Sequence, residues 1–212
     1  MYQCLIIVKK RNNYNPGECE QLRLPTTPEQ IERVLHKLGC SLVKADYEII
    51  YSEFGYPEID NKVNRYSDIL ALNKIAKMLQ SYNGTPGELC AELVYKGCEN
   101  ETDIIAHLAN RTRLVVLESC KNITEYASYC FYTEFWEGSK CKRMTYEEYE
   151  DDVYYDNGTP LWKKQYDCAM ESLMYKKFRF TQYGLVYEDD LEALKYKPQK
   201  APMSFDDIVV PF

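Results

Sequence analysis

The side chains able to do chemistry are few in kind. Two histidines, His36 and His107, are the imidazole bases of the chain. Nine cysteines supply thiols: Cys4, Cys19, Cys40, Cys90, Cys98, Cys120, Cys130, Cys141 and Cys168. Thiol catalysis needs an imidazole beside the sulfur and a third group to orient the pair. Cys40 lies near His36, but Gly39 breaks the chain between them and no orienting group accompanies them. His36 falls late in a helical pattern, where a cationic ring suits the carbonyl end of a helix, and His107 sits beside an apolar face. Both read as structural. Zinc sites pair cysteines two to four residues apart. The nearest pair here, Cys90 and Cys98, is wider than that, so no metal is expected. A Gly-rich phosphate loop, a dinucleotide fingerprint and a Gly-x-Ser-x-Gly turn are all missing. No cofactor is expected, and the chain reads as a protein without catalytic activity. A hydrolase or thiol enzyme would need a pocket joining a cysteine to one of the histidines.

Carboxylates are what the chain holds in quantity. Asp and Glu number 33 against 26 Lys and Arg, a net charge of −7 over 212 residues. Residues 46–60 hold Asp46, Glu48, Glu53, Glu58 and Asp60 without a base. Residues 145–156 hold Glu147, Glu148, Glu150, Asp151, Asp152 and Asp156, again without a base. From 163 to 179 the sign reverses, with Lys163, Lys164, Lys176, Lys177 and Arg179 facing only Asp167 and Glu171. An acidic chain repels phosphate backbones, so ordinary nucleic-acid binding is not expected. The bland reading of acidic clusters is a solvated face that keeps the chain in solution. The functional reading is a surface that a DNA-binding protein takes for its substrate. Twenty tyrosines, each an apolar ring with a hydroxyl, suit thin cores and interaction surfaces.

No apolar run reaches the ~18 residues of a membrane span, and no signal peptide opens the chain. The odd cysteine count and unpatterned spacing fit reduced thiols, so a cytoplasmic location is expected. Five Asn-x-Ser/Thr triplets, at Asn83, Asn100, Asn110, Asn122 and Asn157, then read as turn and cap residues.

The elements that must position these groups are short. Strands are expected over 2–8 and 20–24, joined by a turn through Asn12, Asn13, Asn15, Pro16 and Gly17. Thr27, Pro28 and Gln30 form a helix start with a capping box; Ile31, Val34, Leu35 and Leu38 make its apolar face, and Gly39 ends it. A strand over 47–54 stops at Pro57. Ser67 caps a helix whose face is Ile69, Leu72, Ile75, Ala76 and Leu79. After a break at 83–87, Leu89 to Tyr95 reads equally as strand or short helix. Thr102 caps a helix bearing Ile104, Ile105 and Leu108; Leu114 to Leu117 is a strand or buried turn; 123–130 is weakly helical. Cys130 to Trp136 reads as an aromatic strand, and 145–156 as a loop or short helix. Thr159 and Pro160 open a helix with Trp162, Tyr166, Ala169 and Leu173 on one face. Phe178 to Tyr187 is a strand interrupted at Gly184, and the tail from Lys195 has no period.

The order of these segments resembles the ArdA family of antirestriction proteins. The stretch Leu22-Arg23-Leu24-Pro25-Thr26-Thr27-Pro28-Glu29-Gln30-Ile31 is similar to that family's first strand-to-helix junction. Tyr47 to Tyr51 resembles its next strand, and residues 65–76 its Glu-Tyr-x-x-Leu-x-x-Leu-Asn-x-x-Ala helix, with Arg65 in place of the Glu. Residues 103–110 resemble its Asp-x-Ile-x-x-Leu-x-Asn segment, and Tyr166 to Ala169 followed by Phe180 to Val186 its closing elements. The match runs in order over about residues 1–188. It implies an α+β fold, with short antiparallel sheets and helices in a row of three small domains. Their expected bounds are 1–57 for a small α+β domain, 58–112 for a mainly helical one and 113–190 for another α+β domain, with 191–212 an extended or disordered tail.

The resemblance further implies a homodimer, carried on a mobile genetic element, that imitates B-form DNA. Its partner would be the methyltransferase core of a type I restriction-modification enzyme, whose DNA channel it would fill. Asp46, Glu48, Glu53, Glu58 and Asp60, with Glu147, Glu148, Glu150, Asp151, Asp152 and Asp156, are the candidate partner contacts. The alternative is an ArdA-derived module that binds a protein partner and no longer imitates DNA. Bases at 163–179 intermixed with the acids would favour that alternative.

Overall fold

Alternating burial builds the first sheet. In β1 (Cys4–Lys10), Cys4, Ile6 and Val8 turn inward. In β2 (Cys19–Leu24) the inward residues are Leu22 and Leu24, and in β3 (Tyr47–Glu53) they are Tyr47 and Ile49. Both neighbours run antiparallel to β1, giving the order β2-β1-β3. The computed structural model describes residues 4–111 except 14 and 16, 114–130, and 161–188 except 175. The expected aromatic strand at 130–136, apart from Cys130, lies outside the described residues, as do the acidic stretch 145–156, the helix start at Thr159 and Pro160, and the tail. Among the described residues no helix is long and apolar enough to cross a membrane. Helices and two small antiparallel sheets make this an α+β fold.

Helix α1 (Pro28–Lys37) starts as its sequence dictates, with Pro28 in the first turn and the Thr27 hydroxyl accepting from the Gln30 amide at 3.4 Å. The expected capping box is only half made. The Gln30 side-chain carbonyl accepts from Arg33 at 3.1 Å instead of turning back to Thr27. A short helix α2 (Pro57–Asp60) follows β3. Helix α3 (Ile69–Leu79) buries all five predicted inward residues. Its cap is Asp68, whose carboxylate accepts from Leu70 N at 2.8 Å, not Ser67. Ser67 is buried, its hydroxyl accepting from Asn64 N in the preceding turn. Each fully buried Ile or Leu contributes about 1.5–3 kcal/mol and a cap about 1 kcal/mol. The inner face therefore fixes this helix, and a one-residue shift of the cap costs it little.

The undecided stretch 89–95 belongs to helix α4 (Pro86–Lys96). Thr85 and Glu88 make a complete capping box there, with bonds of 2.9 and 3.0 Å, and Gly97 closes the helix at φ +67, a conformation that disfavours a Cβ. Asn100, rather than Thr102, caps α5 (Glu101–Ala109), accepting from the amides of both Thr102 and Asp103. An Asn side chain reaches two amides at once, so the cap forms upstream of the threonine.

The chain divides into two compact units, Met1–Thr112 and Arg113–Phe212. Within the first, hydrogen bonds cross residues 57 and 58. The buried Tyr47 hydroxyl accepts from Ile69 N at 3.1 Å, tying β3 to the start of α3. Asn73 clamps Thr26 from α3, accepting from its amide at 2.8 Å and donating to its carbonyl at 2.9 Å.

In the second unit, β4 (Leu114–Leu117), β5 (Phe178–Thr181) and β6 (Gly184–Glu188) form a sheet in the order β4-β6-β5. The interruption expected at Gly184 is the turn of the β5–β6 hairpin. Helices α6 (Ile123–Tyr129) and α7 (Leu161–Leu173) join the sheet around a core of Cys120, Tyr126, Ala127, Ala169, Leu173 and Leu185. The Tyr126 hydroxyl lies 2.9 Å from Ser172 Oγ, satisfying the polar end of a fully buried ring.

Candidate functional site

Strand β3 and helix α2 carry the first acidic cluster, and most of its carboxylates have partners within the fold. Asp46 ends the turn before β3. The Ser41 hydroxyl and amide donate to its carboxylate and hold it below the usual carboxylate range. Glu48 pairs with Lys9 across the β1–β3 ladder at 2.9 Å. Glu58 is buried and pairs with Lys62 one turn on at 3.2 Å. Asp60 is half-buried and accepts from the Phe54 amide at 2.7 Å. Burial pushes its carboxyl above the usual range, against the opposing bonds from Phe54, Gly55 and Ser52. Glu53 alone of the five is exposed, and it accepts from the Tyr51 hydroxyl at 3.1 Å. The structure thus brings these five together along one edge strand and one helical turn without leaving them as an open row. Glu147, Glu148, Glu150, Asp151, Asp152 and Asp156 lie outside the described residues.

Charge along the chain divides the same way. Residues 1–130 and 161–188 hold 20 acidic and 20 basic residues. The whole net charge of −7 comes from 131–160, with 8 acids and 3 bases, and 189–212, with 5 acids and 3 bases. Of the bases at 163–179, Lys176 sits over the Tyr187 ring at 4.3 Å, and Lys177 and Arg179 are exposed. Near them α7 exposes Asp167 and Glu171, and Tyr166, Met170 and Met174 stand exposed at four-residue intervals.

Sequence reasoning missed a buried polar cluster in the first unit. Glu92 on α4 accepts at both carboxylate oxygens. His107 Nε2 on α5 lies 2.8 Å from one, and Arg111 donates to the other at 3.0 Å. The Glu92 and His107 side chains are 4% and 5% exposed. Burial alone would raise the Glu92 carboxyl, but the bonds from His107 and Arg111 outweigh it and leave the carboxyl below its usual range. The Arg111 guanidinium also covers the Tyr82 ring at 4.6 Å. The Tyr82 hydroxyl is buried without a hydrogen-bond partner among the described residues, and burial raises its pKa. The one available signal was spacing: His107 and Arg111 lie four residues apart, on one side of a helix end. Nothing in the sequence pointed to Glu92 as their common acceptor. The buried Glu92–His107 pair ties α4 to α5.

The other reactive groups stay apart. His36 is exposed in the last turn of α1. The Cys40 thiol donates toward the carbonyls of Leu38 and Asp46, away from any imidazole. Cys4, Cys19, Cys40, Cys90, Cys98, Cys120 and Cys130 are free thiols, and all but Cys19 and Cys40 are buried. Burial, with Asp60 nearby, pushes the Cys4 thiol up to about 11, the behaviour of a core side chain. Among the described residues no group of three His, Cys, Asp or Glu side chains converges to hold a metal ion. No protein-family model matches the chain, and no curated protein matches it.

Proposed function

We propose that the chain is an ArdA-like antirestriction protein without catalytic activity, acting in pairs. It competes with DNA for the channel of a type I restriction-modification enzyme. The observation that carries this reading is where uncompensated charge resides. The body from 1–130 with 161–188 is electrically balanced, and the six carboxylates from Glu147 to Asp156 fall within ten residues without a base. The first cluster has five in fifteen, and the fold uses most of them. DNA binders place Lys and Arg against one phosphate charge per ~1.7 Å of duplex axis. A polypeptide entering such a channel must present carboxylates at high linear density, and the second cluster has the denser sequence, six in ten residues against five in fifteen. The ordered resemblance over 1–188 supports the same partner.

Adding the chain to a type I restriction reaction at low salt tests this. Cleavage of an unmodified duplex falls in proportion to the chain added. Undiminished cleavage at a large excess of chain contradicts the reading.

A second reading has its own observation. Tyr166, Met170 and Met174 stand exposed on one side of α7 and its end, beside Asp167, Glu171 and the bases Lys177 and Arg179. Such a mixed surface suits a protein partner held by apolar contact. Under this reading binding to that partner barely responds to salt, and Met170→Asp abolishes it.

A further inference from the structure

A cavity of about 470 Å3 opens on the first unit, where the β1–β2 turn, the edge strand β3 and the turn at 64–67 meet. Its size falls within the range of small-ligand sites. Lys9, Asn12, Glu48, Ile49, Ile50 and Arg65 line it. Two features of the backbone build it. The ladder pairs Ile7 with Tyr51 and Val8 with Ile49, so Ile50 is an extra residue, and this bulge turns its side chain outward. The amide of Ile49 donates to the Arg65 carbonyl at 3.2 Å, which holds Arg65 beside the strand.

Inside the cavity the charges are unevenly satisfied. Lys9 and Glu48 neutralise each other at 2.9 Å. The Arg65 guanidinium lies 5.8 Å from the Tyr66 ring and makes no hydrogen bond or ion pair among the described residues. The Asn12 side chain is likewise without a hydrogen bond among them, on a backbone held at φ +59. The lining therefore carries one unmatched positive charge, one unmatched amide and the outward side chain of Ile50, beside the backbone of the buried Ile49. A guanidinium offers parallel donors to a planar two-oxygen head. One charge matches a carboxylate rather than a phosphate monoester dianion, and Ile50 matches a short aliphatic chain behind it.

We propose that this cavity binds an aliphatic monocarboxylate, its head on Arg65 and Asn12 and its chain against Ile50. Two sources share that chemistry: a free short-chain acid, and the carboxyl terminus of a peptide ending in an aliphatic residue. Amide and guanidinium NMR signals of the full chain, titrated with sodium valerate, inorganic phosphate, and a leucine-ended peptide with a free or an amidated terminus, test it. Saturable shifts are expected at Arg65 and Ile50 with valerate or the free-ended peptide. Arg65→Gln weakens that binding at least tenfold, while Lys74→Gln, on the exposed side of α3, leaves it unchanged. Tighter binding of the free-ended peptide assigns a chain terminus, and equal or tighter binding of valerate assigns a free acid. Absence of saturable shifts with both carboxylates overturns the proposal. So does binding that survives Arg65→Gln, that persists with the amidated peptide, or that phosphate matches.

Discussion

Unit 1 carries 15 acidic and 13 basic residues over 112 positions, and unit 2 carries 18 and 13 over 100. The two are close in number and unlike in use. In unit 1 carboxylates close turns, pair across a ladder and clamp helices: Asp46 on Ser41, Glu48 on Lys9, Asp60 on Phe54 and Glu92 on His107 and Arg111. In unit 2 the described core is an apolar cluster around Tyr126, with few charged groups inside it. The difference teaches that a count of acids is not a measure of charge available to a partner. A carboxylate that accepts bonds within its own fold has lost most of its value to a cationic channel.

The largest test of that contrast strikes unit 2 through packing alone. Gly184 sits at φ +140 with its Cα against β4. A methyl there would run into the Leu117 carbonyl and come within 2.7 Å of Glu118 Cα. Gly184→Ala should cost about 3 kcal/mol or more, from backbone strain and overpacking together. Denaturant unfolding followed by circular dichroism should show the transition of unit 2 at a lower denaturant concentration, while that of unit 1 stays in place.

The matching test of unit 1 is electrostatic. Glu92→Ala leaves His107 without its acceptor and Arg111 without its ion pair. The loss should be about 2–3 kcal/mol, below the full cost of breaking a buried pair because Arg111 is 43% exposed. The same bonds set a pH dependence. The Glu92 pKa is lowered in the fold, so its contribution is present above the unfolded carboxyl value, roughly 4.3, and is lost as pH falls through the lower folded value. Acid titration of the wild type and of Glu92→Gln, followed by circular dichroism, should show unit 1 of the wild type failing at the lower end of that window. The variant should lack that step.

Smaller effects sharpen the contrast. Asn73→Ala removes both bonds to Thr26 and leaves two part-buried backbone groups unpaired, which should cost about 1–2 kcal/mol in chemical denaturation. Glu53→Gln alters an exposed carboxylate with one tyrosine partner and should change stability by less than about 0.5 kcal/mol.

Periodicity made much of this fold legible in advance. The faces of α1 and α3 follow from apolar spacing, because burial outweighs every local alternative; β1 is apolar from Cys4 to Val8 and its spacing does not mark an inner face, and the bulge at Ile50 leaves Tyr51 exposed. Helix starts were read within one or two residues. Ser67 and Thr102 have the right chemistry for caps, but Asp68 and Asn100 accept from the first-turn amides instead. The helix at 86–96 was ambiguous because its apolar run is short; its identity lies in the reciprocal Thr85–Glu88 bonds. The acidic site was legible only as composition. Whether a carboxylate stays open depends on partners far along the chain, such as Lys9 for Glu48, and no local pattern encodes those. The Glu92 clasp was hidden for the same reason, its members being 15 and 19 residues apart.

The central proposal is that the carboxylates of 147–156 let this chain take the place of DNA. Displacement of a labelled duplex from a type I methyltransferase core, measured as salt is raised, tests it most directly. Displacement should weaken linearly in log salt, as release of counterions requires. Neutralising Glu147, Glu148, Glu150, Asp151, Asp152 and Asp156 to their amides should flatten that slope, and neutralising Asp46, Glu48 and Glu53 should leave it nearly unchanged. No displacement at low salt, or displacement indifferent to salt and to all nine substitutions, would contradict the account.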